Sequence, residues 1–280
     1  MAWFNFFSKK PYEEIIQKEL PLDKNGTVSV KSTYGDIIVK EWKQDSVQLK
    51  ATKMASKEEL LPEADVKIQA SEKRIVIATK EKKEAEGKVE IKYELIVPET
   101  ANINLIGKKG SLSINNLRAT VKARTENGNI EVANVKGSTI ASTDYGSITV
   151  CNSSEDVRVH TLNGNITIDE ATKNIVARAK KGTICTTCKN ACQLDTISLS
   201  TQSGNIEICL PEEVNAELLA KTAKGKITSE HYITMKPQTT MLNKKTWARM
   251  RKEVDGTLGN GDATIKLTSG SGNIKINKTA

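Results

Sequence analysis

The densest cluster of reactive side chains in this sequence is C-T-T-C-K-N-A-C, which carries Cys185, Cys188 and Cys192. Thiols at such spacing could ligate a structural metal or form a redox pair. A closed tetrahedral site, however, wants a fourth ligand, usually from a second C-x-x-C, and none follows. The bland alternative is that small side chains fill a slightly longer repeat, and it is preferred: Cys185, Cys188 and Cys192 stay candidates for a metal that is not expected. The other cysteines, Cys151 and Cys209, occupy the same repeat position three repeats apart. At strand spacing that is about 14 Å, beyond the ~7 Å reach of a disulfide. An odd count of 5 cysteines is no framework for a disulfide-stapled secreted domain.

Catalysis finds little support. Of the 2 histidines, His160 falls on an outward strand position, and His231 sits where the repeat pattern breaks. No nucleophile elbow, phosphate-binding loop, dinucleotide fingerprint or H-E-x-x-H is present. The carboxylate pairs Glu155/Asp156 and Glu212/Glu213 lie in turns. Calcium would need six to eight oxygens, preferably carboxylates, yet Asp follows a repeat glycine only at Asp36. The turns are expected to be capped by polar side chains, with no cofactor and no small-molecule substrate.

Charge points elsewhere. The formal net charge is +8, but residues 1–100 hold 18 basic and 18 acidic side chains, residues 101–230 hold 15 and 13, and residues 231–280 hold 9 and 3. Lys236, Lys244, Lys245, Arg249, Arg251 and Lys252 come with Trp247 and Met250, with no acid between His231 and Lys252. A short helix there would carry mixed basic and apolar faces, as surface-binding segments do. Equally, it could pack over the end of the fold with its lysines solvated. At the N-terminus Trp3, Phe4, Phe6 and Phe7 precede Lys9 and Lys10. Rings beside lysines suit a membrane interface, or they could plug the first repeat. Together the two segments would make a two-signal attachment to an anionic membrane surface or envelope polymer. Nucleic acid is disfavoured, because no binding motif appears and lysines do not recur at one repeat position.

The elements that must position these residues follow from an internal repeat. Segments such as Y-G-D-I-I-V, N-G-N-I-E-V and S-G-N-I-K-I share G-x-[IL] in one register, at Gly35, Gly110, Gly128, Gly146, Gly164, Gly182, Gly204, Gly225 and Gly272. From Gly110 to Gly182 the interval is 18 residues, and the next two are 22 and 21. Apolar or small residues occupy positions −7, −5 and −3 before each glycine and +2 and +4 after it, with polar residues between. That alternation is the pattern of half-buried strands. A single strand–bend–strand unit cannot bury its stripe, whereas a stack of them can. Aromatics make up only 4%, so the core must come from Ile, Val, Leu, Ala and Thr, which suit strands. The expected fold is all-β: a single-chain β-solenoid with an irregular N-terminal sheet and a short helical insertion near the C-terminus.

Two regions leave the rhythm. Residues 40–100 read as strands around a short helix at M-A-S-K-E-E-L-L-P-E-A-D, an entry cap. Residues 231–262 interrupt the pattern before 263–278 resume it as the final coil. The expected organisation is an N-terminal aromatic and basic segment (1–19), a β cap (20–100), regular coils (101–230), a basic insertion (231–262) and a final coil (263–280).

These motifs carry a family likeness. The opening T-V-S-V-K-S-T-Y-G-D-I-I-V-K-E-W, the segment Y-E-L-I-V-P-E-T-A-N-I-N-L, the G-N-I-E-V series and the close L-G-N-G-D-A-T-I-K-L-T-S-G-S-G-N-I-K-I resemble the bacterial putative-adhesin family of β-solenoid domains of unknown function. The likeness spans roughly residues 20–280. It implies cell-envelope or surface association in some members and no catalytic residues. The basic residues near the N-terminus follow the apolar ones, the reverse of a secretory signal, and no stretch is long enough to span a bilayer. The expectation is a non-enzymatic, adhesin-like binding or scaffold module, cytoplasmic or peripheral to the membrane. A soluble scaffold recruiting a protein partner through its faces is the alternative.

Overall fold

The computed structural model describes residues 11–82, 88–189, 195–236 and 252–279. An entry region opens the fold with β1 (Tyr12–Pro21), β2 (Thr27–Tyr34), β3 (Ile37–Trp42), β4 (Ser46–Ala55), β5 (Ala64–Ser71), β6 (Arg74–Glu81) and β7 (Glu90–Pro98). The coils then run as strand pairs. They are β8 (Asn102–Lys109) with β9 (Leu112–Leu117), β10 (Val121–Asn127) with β11 (Ile130–Val135), and β12 (Thr139–Tyr145) with β13 (Ile148–Ser153). Next come β14 (Val157–Asn163) with β15 (Ile166–Ala171), β16 (Ile175–Lys181) with β17 (Ile184–Thr187), and β18 (Thr196–Ser203) with β19 (Ile206–Leu210). The chain finishes with β20 (Ala216–Thr222), β21 (Ile227–Ser229), β22 (Thr234–Met235), β23 (Glu253–Leu258), β24 (Ala263–Ser271) and β25 (Ile274–Lys278).

The strand after each repeat glycine joins one sheet and the strand before it joins the other. The first, which we call the A face, is a 12-stranded sheet ordered β1-β4-β7-β3-β9-β11-β13-β15-β17-β19-β25-β21. The second, the B face, has 13 strands ordered β22-β23-β20-β24-β18-β16-β14-β12-β10-β8-β2-β6-β5. Pairing along the coils is parallel and steps by whole repeats, as in Val121↔Thr139 and Ile130↔Ile148. Side chains of both sheets that point inward, among them Val121, Ala123, Ile130 and Val132, fill one continuous core. The sheets form a stacked solenoid, as the repeat required.

The glycine bend has a physical cause visible at Gly146. Its φ is +155°, and a Cβ there would lie 2.0 Å from the carbonyl oxygen of Gly128 on the neighbouring coil. Coils at strand spacing leave no room for a side chain at that point. A second bend, six residues later, takes the left-handed conformation at Asn116, Asn134 and Asn152. Asparagine tolerates that region best after glycine, and here its amides also bond coil to coil: Asn134 Nδ2 donates to Asn116 Oδ1 at 3.0 Å, and Asn152 Nδ2 to Asn134 Oδ1 at 2.9 Å.

In the entry region strands β4 to β7 surround a 3-10 turn at Glu58–Glu63. The segment Tyr12–Pro21 adds a strand: β1 lies antiparallel on β4, with Ile16 and Leu20 half-buried against the core. At the far end the structure corrects the expected order. Residues 263–278 do resume the repeat, but β24 lies between β18 and β20, and β25 between β19 and β21. The last coil in sequence is therefore not the last in space. Its stripe includes Ile265, Leu267, Ile274 and Ile276, all fully buried, and needs a neighbour on each side. The preceding coil offers only Ile227 and Ser229 on its second strand, half-buried and exposed, and tolerates the end position. The antiparallel strand β23 then covers the outer edge of β20. The expected helix of the basic insertion falls within 237–251, outside the described residues.

Candidate functional site

Many polar side chains along the coils are used up in holding them together. At position −3, buried Thr125, Thr143, Thr161 and Thr201 each donate from Oγ1 to the carbonyl of the glycine that closes the preceding coil, at 3.0 to 3.1 Å. Just after the glycines, Asp36 Oδ1 accepts from the Ser111 amide at 2.7 Å, and Asn129 Oδ1 from the Ser147 amide at 2.9 Å. Asp36 is thus a turn cap. The turn side chains weighed against calcium spend these oxygens on backbone amides.

The cysteines divide by face. Cys188 is fully buried and its amide donates to the Cys209 carbonyl at 2.9 Å. Burial, with the Cys209 and Asp169 charges behind it, pushes the Cys188 thiol up to about 12. Cys151, Cys185 and Cys209 are half-buried on the outside of the A face, each with its thiol raised by burial first. Cys185 opposes Glu207, while Cys209 opposes Thr187. Cys151 and Cys209 stand three strands apart, joined through Asp169 and Thr187. Such thiols are poor nucleophiles, because the thiolate is disfavoured by both burial and neighbouring carboxylates. Among the described residues no group of three or more His, Cys, Asp or Glu is placed to hold a metal ion. Cys192 lies outside those residues.

The histidines are apart. His160 is exposed on the outer side of β14, while His231 is buried, with Nε2 3.2 Å from the Asn277 carbonyl. Near the entry end an open groove of about 520 Å³ runs over the outer side of β1, β4, β7 and β3. Its charged centre is self-satisfied: Lys50 and Lys92 lie 3.1 and 3.3 Å from the Glu94 carboxylate. The hydrogen bond from Lys50, more than any other influence, holds that carboxyl below its usual range. The groove holds no paired nucleophile and base.

What remains free is the outward side of each sheet, and the two differ in sign. On the B face, position −6 reads Ser29, Asn104, Lys122, Ile140, Arg158, Val176, Ser198 and Lys266 across paired strands, and position −4 reads Lys31, Ile106, Arg124, Ser142, His160, Arg178, Ser200 and Thr268. Neither row contains a carboxylate. Acids lie beside them at Glu126 and Asp144 toward the glycines, at Asp156, whose Oδ2 is 3.4 Å from Arg158, and at the far end at Glu217 and Asp255. At the far end the rows close on β23, where Glu253 pairs with Lys221 at 2.7 Å. The A face is the reverse. From β9 to β19 its outward rows carry Glu131, Asp169 and Glu207 and no lysine or arginine, with Lys40 on β3 and Lys275 on β25 bounding them.

The sequence reading missed this division. Residues 101–230 sum to near neutrality, and a search for recurring lysines alone passes over Arg124, His160 and Arg178 in one row. The signal was present once arginine is counted with lysine and the strands before and after each glycine are counted separately. Of the basic residues singled out for surface contact, Lys236 and Lys252 are among those described, and Lys236 lies 3.3 Å from Glu217 and 3.7 Å from Asp255. Lys252 is exposed, and its Nζ donates to the Ala223 carbonyl at 2.6 Å. Trp3, Phe4, Phe6, Phe7, Lys9, Lys10, Lys244, Lys245, Trp247, Arg249 and Arg251 lie outside them. Among the described residues no helix is long and apolar enough to cross a membrane.

Comparison with solved structures places the fold. A structure described as a putative adhesin from Bacteroides fragilis aligns over 97% of this chain and 100% of its own, at 12% identity and a TM-score of 0.54. A putative lipid binding protein from Parabacteroides distasonis aligns over 98% of each chain at 15% identity, with a TM-score of 0.36. A putative cell adhesion protein from Clostridium sporogenes covers 96% and 100% at 11% identity, with a TM-score of 0.31. At these identities the first shares the fold and nothing finer. Comparison with curated proteins finds no relative. The model of the Toastrack DUF4097 family matches residues 19–277, nearly the whole length of the coils and the entry cap, and the chain belongs to that family.

Proposed function

We propose that this chain is a non-enzymatic, adhesin-like binding module that associates peripherally with the membrane or cell envelope through its surface. One observation carries the reading: many turn and core polar groups are consumed within the coils, while the exposed faces are segregated by charge, with a carboxylate-free basic pair of rows from β2 to β24 on one side. A surface of that kind attracts anionic headgroups or polymers from a distance of about a Debye length. The absence of a nucleophile–base pair in the entry groove fits a binding role. The segments 1–10 and 236–252 remain part of the proposal as additional basic and aromatic contacts.

A soluble scaffold is the second reading, favoured by the outer edge of β1, a ten-residue strand that among the described residues pairs with β4 alone. An unpaired edge is a template for a partner's strand. Co-sedimentation of the purified protein with neutral and anionic vesicles, at low and high salt, separates the two. The membrane reading expects pelleting with anionic vesicles alone, reduced by salt and by changing Lys244, Lys245, Arg249 and Arg251 to Ser. Failure to pellet under every condition would reject it and leave the scaffold.

A further inference from the structure

The basic rows carry more than charge. Ile140 is exposed and sits in register between Lys122 and Arg158, and exposed Ile106 lies directly beside Arg124. Along a strand, alternate residues on one side are about 7 Å apart, and neighbouring strands about 4.8 Å. Lys122 and Arg124 on β10 therefore stand about 7 Å apart, and Arg158 on β14 about 10 Å from Lys122. Among the described residues Lys122, Arg124 and Arg178 have no carboxylate partner, so their charge is not already neutralised. The rows run from β2 to β24, seven strand steps, or about 34 Å of sheet.

We propose that the outward side of the B face is the surface that docks on an anionic phospholipid bilayer, with the solenoid lying flat and its acidic A face turned to water. This rests on the membrane-peripheral reading and names its surface. The partner is chosen by the isoleucines. A soluble polyanion is satisfied by cations alone and would leave Ile106 and Ile140 wet. A bilayer takes apolar side chains into the boundary between headgroups and acyl chains while the flanking cations meet phosphate. Arginine suits the second task, since its planar guanidinium can bond a phosphate with two N–H groups at once. The opposite sign of the A face orients the molecule, because turning over would bring Glu131, Asp169 and Glu207 against anionic lipid.

The test uses the full chain with vesicles of phosphatidylcholine alone and of phosphatidylcholine with phosphatidylglycerol. Three proteins are compared: the native chain, one with Arg124, Arg158 and Arg178 changed to Ser, and one with Ile106 and Ile140 changed to Ser. All five side chains are exposed, and unchanged circular dichroism and thermal midpoint confirm folding. The arginine variant is expected to partition about a hundredfold less onto anionic vesicles, three charges at about 1 kcal/mol each. The isoleucine variant is expected to lose the part of binding that survives high salt. If the native chain binds anionic vesicles and the arginine variant binds equally well, the B face is not the docking surface, although peripheral association stands. Soluble polyphosphate supplies the last arm: arginine-dependent binding to it, without vesicle binding, overturns the bilayer in favour of a polymer. Binding to neither removes this proposal and the membrane reading together.

Discussion

The buried hydroxyl of Thr161 donates to the carbonyl oxygen of Gly146 at 3.0 Å, tying one coil to the bend of the coil before it. The same bond recurs at Thr125, Thr143 and Thr201, but Ala179 stands at the equivalent position of its coil, where Gly164 has no such donor. The ladder therefore has a missing rung. Thr161→Val, which keeps the shape and removes the hydroxyl, is expected to cost about 1 to 2 kcal/mol. Ala179→Thr is expected to add about 1 kcal/mol by restoring the rung. Denaturant midpoints of the two variants decide the matter, and a Thr161→Val protein as stable as the parent would show that the rung carries no weight.

Gly146 faces a harder limit than its hydrogen bond. A methyl group at that α-carbon would meet the Gly128 oxygen at 2.0 Å, and the φ of +155° disfavours any L side chain. The obstacle is backbone of the neighbouring coil, which cannot move without breaking parallel register. Gly146→Ala is expected to cost about 3 kcal/mol or more. Thermal unfolding measures it, and a change below about 1 kcal/mol would mean the coils slide apart more easily than the pairing implies.

Asn134 takes part in two rungs at once, donating to Asn115 and Asn116 and accepting from Asn152, with φ at +55°. Asn134→Ala gives up the amide bonds and keeps the left-handed strain, for an expected loss of about 2 kcal/mol. Asn134→Gly relieves the strain and should recover part of it. Equal losses in the two variants would assign the whole effect to the amide ladder.

Alkaline pH should loosen the fold through two buried groups. Burial pushes Cys188 from 9.0 up to about 12, and Tyr93 from 10.0 up to about 12, the latter opposed in part by its hydrogen bond with Thr79. In both cases the folded state keeps its proton while the unfolded chain loses it. The stability they contribute is thus complete below pH 9 and is lost as pH rises from 9 toward 12. Each group supplies a slope of at most about 1.4 kcal/mol per pH unit. Stability curves of Cys188→Ala and Tyr93→Phe should each be flatter in that window than the parent's. Parallel curves for all three proteins would place the alkaline transition elsewhere.

Much of this molecule is legible one residue at a time. Period-2 alternation about each glycine names the buried positions, from Val28 and Val30 to Ile274 and Ile276, because a strand's side chains alternate whatever surrounds it. The glycine spacing likewise implies stacked coils, since an 18-residue unit has no other way to cover its apolar stripe. Even the cross-coil distance of Cys151 from Cys209 follows from counting.

Two features belong to the tertiary structure alone. Coil order is one: interchangeable stripes let β24 and β25 enter between β18–β19 and β20–β21, and only the competition for burial between Ile274/Ile276 and Ile227/Ser229 decides which coil ends the stack. The sign of each face is the other. Arg124, His160 and Arg178 follow one another at intervals of 36 and 18 residues in the chain and share a row only because the strands pair in register. A linear sum averages them against Glu131, Asp169 and Glu207, which the same stack carries to the opposite side. Charge acts through distance in space, and it is the parallel stacking of the coils that sets those distances.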